Sequence, residues 1–240
     1  MAQTSFSRYD RIVEFYPTMW PLLVPGYGPV LGGMFDVVRV RPTAPRRLLD
    51  LGCGPASATV AVAPACDPSA RVTLVDGSSR MIDAAQSLLG PQVQEAIAGD
   101  FTDADVASHC FEKERYDLAL VSFALHHCED PTKRQIIDHL YTALEPGGML
   151  LMADEIASDR PAGWDLVERV RARVIHEQLA SGAILKEFWD LETTLPASEH
   201  LPFKPSRVDD LTSWMARAGF AVSCPVSVFG SALLVALKPI

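Results

Sequence analysis

The sequence predicts a doubly wound α/β fold built on a mostly parallel sheet. Three observations carry that prediction. From Pro45 onward, short apolar runs alternate with stretches of helical period; the first run ends in a tight Gly-x-Gly turn; and acids close three successive runs.

Residues 1–44 read as a helical cap. Arg8 to Phe15 has amphipathic spacing, Pro17, Pro21, Pro25, Gly26, Gly28 and Pro29 break the pattern, and a second short helix covers Leu31 to Val40. Residues 45–240 form the sheet domain. Its first strand is Arg46 to Leu51. The second, Arg71 to Val75, ends in Asp76-Gly77 and leads into a helix capped by Ser78 or Ser79. The third, Val93 to Ala98, ends in Gly99-Asp100. The fourth, Tyr116 to Phe123, precedes the polar cluster His126-His127-Cys128-Glu129-Asp130, with Pro131 opening the next helix. Glu145-Pro146-Gly147-Gly148 turns that helix into the fifth strand, Met149 to Ala153.

Residues 155–210 interrupt the alternation with an amphipathic helix, Trp164 to Ala180, and a stretch holding Pro196, Pro202 and Pro205, and are expected to act as a lid over an acceptor site. A helix from Val208 to Ala218 closes at Gly219. Two strands, Ala221 to Cys224 and Ser227 to Leu237, joined by a turn at Pro225, must be antiparallel neighbours because so short a link allows nothing else.

With 240 residues, 48% of them hydrophobic and 21% charged, the chain suits one well-filled domain. Its net charge of −9, from 30 acidic and 21 basic residues, opposes phosphate backbones. The one cationic run, Arg39, Arg41, Arg46 and Arg47, reads as a solvated linker. No apolar stretch approaches the roughly 18 residues that span a bilayer, and Met1 to Arg8 lacks the charged start and apolar centre of a secretion signal. Five cysteines without a CxxC pair suit a reducing, cytoplasmic setting.

The chemistry concentrates at the strand ends. In Leu48-Leu49-Asp50-Leu51-Gly52-Cys53-Gly54-Pro55-Ala56 an apolar strand meets an acid and a glycine turn whose backbone admits a ligand closely, at the carboxyl edge where open α/β sheets bind ligands. A carboxylate at Asp76 can accept two hydrogen bonds from vicinal ribose hydroxyls, its alternative being a helix cap. Asp100 faces the same cleft, placed for an adenine amino group, with Phe101 beside the ring. Dinucleotide dehydrogenases use a related turn, but Ser57 replaces the third glycine of their G-x-G-x-x-G and the turn comes late in the chain.

These segments, in this order, resemble the class I S-adenosylmethionine-dependent methyltransferases: Leu49 to Gly54 matches their glycine motif, Val75-Asp76 their ribose acid, Gly99-Asp100-Phe101 their adenine site, and Leu144 to Gly148 the turn before their fifth strand. The resemblance implies a seven-stranded sheet of order 3-2-1-4-5-7-6, S-adenosyl-L-methionine as cofactor, and a contact set of Tyr27, Asp50, Gly52, Cys53, Gly54, Asp76, Gly77, Met81, Asp100, Phe101 and Ser122. Val24-Pro25-Gly26-Tyr27, Ala218-Gly219-Phe220 and Phe229-Gly230-Ser231 are further similar to carboxy-S-adenosylmethionine synthases and their plain methyltransferase relatives. In the synthases an arginine of the lid holds the extra carboxylate; the matching Glu192-Thr193-Thr194-Leu195-Pro196 has none, which points to methyl transfer.

His126 and His127, just past the fourth strand, are the candidate general bases, with loop hydrogen bonding as the alternative. Asp154 and Glu155 are next, as groups that orient an amine. The compact run His126-His127-Glu129-Asp130 cannot converge on a hard cation, so no metal is expected. Cys53 reads as a small filler beside the turn. Trp164, Phe188, Trp189, Phe203 and Trp214 are candidate walls of an acceptor pocket, core packing being the alternative and the favoured one for Trp214. Tyr9 and Tyr16 can fold over the cofactor. The partner expected is a small-molecule methyl acceptor, with neither nucleic acid nor membrane and with a homodimer left open.

Overall fold

The computed structural model describes residues 6–240; residues 1–5, the larger part of the stretch Met1 to Arg8 read above as lacking a secretion signal, lie outside them. One seven-stranded sheet has the order β3-β2-β1-β4-β5-β7-β6, the order the resemblance implied. Its strands are β1 (Arg47–Leu51), β2 (Arg71–Asp76), β3 (Val93–Ala98), β4 (Tyr116–Ser122), β5 (Leu144–Glu155), β6 (Ala221–Val228) and β7 (Ser231–Leu237). The first five are parallel, and β7 runs antiparallel to both β5 and β6. The central strands are apolar on both faces because helices cover both: Leu48 and Leu120 pack to one side, Leu49 and Val121 to the other, all fully or nearly fully buried.

Two strand boundaries differ from the sequence reading. Glu145-Pro146-Gly147-Gly148 is not a free turn but a bulge within β5, where pairing jumps from Tyr116↔Leu144 to Leu118↔Met149. Pro225 lies inside β6, at a register shift between Ser223 and Val226; the hairpin instead turns at Phe229 and Gly230, both with positive φ (48° and 79°). Proline is tolerated there because β6 is the sheet edge, where a missing N–H breaks no ladder on the outer side.

The N-terminal segment is more helical than its prolines suggest. It forms α1 (Ser7–Ile12), α2 (Tyr16–Leu23) and α3 (Tyr27–Arg39). Pro17 and Pro29 sit in first turns, where no N–H is needed. Pro21 is interior to α2 and costs a hydrogen bond, offset by burial of Tyr16, Met19 and Leu23, each apolar side chain worth about 1.5–3 kcal/mol. On α3, Val30, Met34 and Val38 recur at helical spacing and are at most 1% exposed, and a Cβ at Gly33 would fall 2.9 Å from Leu233, so the glycine lets α3 lie directly on β7.

The helices beneath and around the sheet are α4 (Ser57–Val62), α5 (Ser79–Leu89), α6 (Ala104–Cys110), α7 (Asp130–Ala143) and α10 (Val208–Ala218), which ends at Gly219 with φ 111°. Ser78 caps α5 by accepting from the Met81 amide at 3.1 Å. Between β5 and α10 lie α8 (Pro161–Ala180) and α9 (Lys186–Thr194), the latter unforeseen by its sequence pattern. The return stretch from α9 is pinned by Lys133, 1% exposed, whose Nζ meets Asp130, the Lys204 carbonyl and Ser206 Oγ.

The arginine run is tied down by neighbours. Arg39 pairs with Asp36, Arg46 with Asp67 and Arg47 with Glu145, while Arg41 donates to the Asp117 and Gly147 carbonyls. The five cysteines are free thiols. Among the described residues no single helix is long and apolar enough to cross a membrane.

Candidate functional site

A cavity of about 260 Å³ opens at the carboxyl ends of β1 to β4. β1 delivers Gly52, Cys53 and Gly54; β2 delivers Asp76 and Gly77; β3 leads to Asp100, Phe101 and Thr102; β4 supplies Ser122, Phe123 and Ala124. Met81 from α5 and Tyr27 from α3 complete the expected set, with one exception. Asp50 is fully buried and lies outside the cavity lining: Thr59 Oγ1 donates to its Oδ2 at 2.7 Å, while Oδ1 has no partner. Burial raises its pKa to about 7.

The turn closes on itself. The Gly52 and Cys53 amides donate to the Val75 carbonyl at 2.8 and 3.0 Å, and the Gly54 amide donates to Asp76 Oδ2 at 2.8 Å. These three turn amides are thus spent on β2. Gly52 (φ 68°) is packed so tightly that a Cβ would lie 2.5 Å from the Ala124 Cβ. At Gly54 (φ 50°) the nearest atom to such a Cβ is Tyr16 Cε1 at 4.0 Å, so that position opens on the cavity. Phe123, at φ 52°, holds a left-handed conformation unusual for a side chain of its size while its ring stacks on Tyr27 at 4.9 Å.

Asp76 also accepts from the Ser78 amide at 2.9 Å. Each carboxylate oxygen retains a lone pair for a ligand hydroxyl. Its pKa is raised, chiefly by burial, against the lowering effect of the Ser78 and Gly54 amides. Asp100 Oδ1 takes the Thr102 amide and hydroxyl at 2.8 and 2.7 Å, leaving its other oxygen for a donor. Asp76 and Asp100 give the lining two carboxylates, and no lysine or arginine appears among the described lining residues. This donor set suits an adenosyl ligand bearing a positive charge: acids for ribose and adenine amino groups, a glycine cradle, an aromatic wall, and no cation to repel a sulfonium.

The two histidines part company. His127 lines the cavity; His126 does not. His126 Nδ1 meets Asp154 Oδ1 at 2.5 Å, its amide donates to Oδ2 at 3.0 Å, and Nε2 lies 3.9 Å from Glu155. Glu155 pairs with Arg171 of α8 and, like Asp154, is buried outside the lining. His127 Nδ1 lies 2.7 Å from the Pro202 carbonyl, and Tyr9 Oη lies 2.8 Å from Nε2. A carbonyl only accepts, so Nδ1 carries the proton and Tyr9 donates to Nε2. Burial, then the neighbouring His126, pushes the His127 pKa down to about 3.

The insertion aromatics read as walls of an acceptor pocket do not reach this cavity. None of Trp164, Phe188, Trp189, Phe203 and Trp214 lines the cavity. Phe188 is fully buried and lies against Phe15, and Trp214 packs in the opposite core under Arg134. Its aromatic lining is Phe6, Tyr9, Tyr16 and Tyr27 from the N-terminal segment, with Phe101 and Phe123 from the strand ends. Tyr9 and Tyr16 were legible as residues able to fold over the site. Phe6 was not; the signal was Gly77, where a Cβ would fall 2.3 Å from its ring.

α1 bridges the two sides of the cavity. Asp10 accepts from Ser78 Oγ at 2.6 Å and its carbonyl from Arg80 at 2.7 Å; Arg8 pairs with Glu192, and Ser7 and Arg11 donate to Glu199 at 3.0 and 3.2 Å. Leu201 and Pro202 line the cavity from the 155–210 insertion.

Residues 48–148 match the family described as a methyltransferase domain. Curated relatives include the carboxy-S-adenosyl-L-methionine synthases of Chromohalobacter salexigens, 30% identical over 69% of this chain and 61% of that protein, and of Trichlorobacter lovleyi, 29% identical over 63% and 62%. The chain therefore spans less than two thirds of the length of these relatives. Among solved structures, the S-adenosylmethionine-dependent methyltransferase SibL in its apo form aligns with TM-score 0.57 at 24% identity, over 88% of this chain and 54% of that one. The YcgJ protein of Bacillus subtilis aligns with TM-score 0.59 at 14% identity, over 89% and 99%; both likenesses are of fold. The sheet order is that of the class I S-adenosylmethionine-dependent methyltransferase fold, and residues 48–148 of the chain, which hold the strand-end motifs, match the methyltransferase domain family.

Proposed function

We propose that this protein transfers the methyl group of S-adenosyl-L-methionine to a small-molecule acceptor. The observation that carries the reading is the cavity itself: two carboxylates at consecutive strand ends, an open glycine cradle at Gly54, and no lysine or arginine in the described lining. A nicotinamide dinucleotide is disfavoured because Ser57 replaces the third glycine of the dinucleotide turn and no lysine or arginine in the described lining meets a pyrophosphate. The same lack of a lysine or arginine also weighs against carboxy-S-adenosylmethionine synthesis, whose extra carboxylate calls for a cation. In the stretch matching the synthases' arginine, the charged residue is Glu192, paired with Arg8.

When bound, the cofactor supplies a methyl carbon activated by a positive sulfur, and the protein's task is alignment, worth several kcal/mol. Asp76 holds the ribose hydroxyls and Asp100 the adenine amino group. His127 and Tyr9 orient the acceptor rather than strip its proton, because Nε2 is occupied and its basicity suppressed. His126 and Glu155, each saturated by ionic partners outside the lining, support the loop behind it. The acceptor enters as α1 and the 155–210 insertion part.

The decisive experiment is calorimetric titration with S-adenosylmethionine and with NAD(P)H, followed by mass spectrometry of a turnover with methyl-labelled cofactor and a panel of small acceptors. Demethylated cofactor and a labelled acceptor support the reading. A cofactor that gains the mass of a carboxylate, or one recovered unchanged across the panel, overturns it.

A further inference from the structure

The N-terminal cap contributes one tyrosine to the cavity from each of its helices: Tyr9 from α1, Tyr16 from α2 and Tyr27 from α3. Their rings are packed against other rings. Tyr16 stacks on Trp20 at 4.9 Å and 11°, Tyr27 on Phe123 at 4.9 Å and 23°, and Tyr9 lies 6.4 Å from Tyr16, tilted by 55°. Tyr16 is the closest group across from Gly54, so this enclosure faces the glycine cradle. The three phenols stay neutral, their pKa values raised chiefly by burial. The cluster already holds one cation on its outer side: the Arg8 guanidinium stands 5.7 Å from the Tyr9 centroid and 5.5 Å from that of Trp20, with Glu192 as its counterion. Inside, the lining acids are committed elsewhere. Asp76 holds two backbone amides and Asp100 holds Thr102, and on the proposed function both are engaged by ribose and adenine.

We infer that Tyr9, Tyr16 and Tyr27 form an aromatic enclosure that reads the charge on the cofactor's sulfur, favouring the sulfonium of S-adenosylmethionine over the neutral thioether of S-adenosylhomocysteine. The inference rests on the reading that this cavity takes the adenosyl cofactor. The negative ring faces attract a cation and are indifferent to a thioether of the same shape. Methyl transfer breaks the C–S bond, returns its electron pair to sulfur and erases the charge, so the attraction ends with the reaction and product release is favoured.

The test is calorimetric affinity for S-adenosylmethionine, for S-adenosylhomocysteine and for sinefungin, which carries an ammonium in place of the sulfonium, in the wild type and in Tyr16→Leu, Tyr27→Leu, Tyr16→Phe and Tyr27→Phe. Each leucine variant should lose affinity for the two cationic ligands relative to the neutral one by roughly two- to thirtyfold, the span of a cation–π contact, while each phenylalanine variant keeps the wild-type ratio. Retained binding of S-adenosylhomocysteine shows that the variants are folded. An unchanged ratio in the leucine variants overturns the inference and leaves the cofactor reading standing. So does an equal loss in the phenylalanine variants, which would assign the effect to the hydroxyls. Failure of all three ligands to bind the wild type overturns both.

Discussion

The Tyr9 hydroxyl donates to His127 Nε2 at 2.8 Å, and the direction of that bond is set on the far side of the ring, where Nδ1–H meets the Pro202 carbonyl at 2.7 Å. One neutral imidazole thereby joins the N-terminal cap, the loop after β4 and the 155–210 insertion.

This contact makes closure of the cap pH-dependent. Buried under Tyr9, His127 has a pKa near 3; once exposed it returns to about 6.5. The closed form therefore favours the neutral ring, and its stability is complete above pH 6.5 and lost progressively as pH falls toward 3. Hydrogen exchange in residues 7–12 should quicken by about tenfold for each pH unit below 6.5, beyond the intrinsic rate change. His127→Gln should flatten that response.

The same residue separates orientation from base catalysis. Loss of a general base costs about 10²–10⁴ in rate. If His127 only orients the acceptor, His127→Gln should lower kcat by less than tenfold, and the pH profile of kcat should show no step at the wild-type histidine. A drop of three orders of magnitude would return His127 to the role of base.

Asp50 should make the protein less stable at high pH. Its folded pKa is raised from 3.8 to about 7, so its contribution is fully present below about pH 4 and is lost as pH rises to 7. Asp50→Asn keeps an oxygen for Thr59 and removes the buried charge. It should stabilise the unliganded protein at pH 8 by up to about 4 kcal/mol, with the gain vanishing near pH 4, read by urea denaturation at both values.

Asp76→Ala should weaken S-adenosylmethionine binding by more than tenfold, since it removes charge-assisted hydrogen bonds to the ligand and leaves the Gly54 and Ser78 amides without their acceptor. Calorimetry would measure it. Nearly unchanged affinity would mean that the ribose lies elsewhere.

The two glycines of the turn should fail differently. Gly52→Ala drives a methyl into Ala124 at a positive φ and should cost about 2 kcal/mol or more of stability. Gly54→Ala meets no backbone and should cost only the left-handed conformation, about 1 kcal/mol. Its methyl would project into the cradle, so the variant should remain folded while losing cofactor affinity; thermal melts paired with titration separate the two.

Legibility in the sequence followed the range of the interactions. The order of β1 to β5, the caps at Ser78 and Gly219, and the placement of Asp76, Asp100 and Phe101 depend on local chemistry: apolar runs, turn glycines, acids at strand ends. Pro21 and Pro225 misled because burial of α2 and an edge position for β6 make prolines tolerable, and neither is a property of neighbouring residues. α9 escaped notice because only Phe188 on it is fully buried, leaving little periodic signal.

By itself the sequence determined the fold, the carboxyl edge at which the cavity opens, and most of the side chains expected there that line it, since each is set within one strand and the turn after it. Only the tertiary structure decided which neighbour of a pair does what. It turned His127 into the cavity and His126 toward Asp154, buried Asp50 behind the turn, and brought Phe6, Tyr9, Tyr16 and Tyr27 to the cavity while Phe188 and Trp214 of the later chain stayed outside its lining. The physical reason is that burial and the direction of a hydrogen bond depend on groups far apart in the chain: Tyr9, His127 and Pro202 share one site only after the sheet has gathered them.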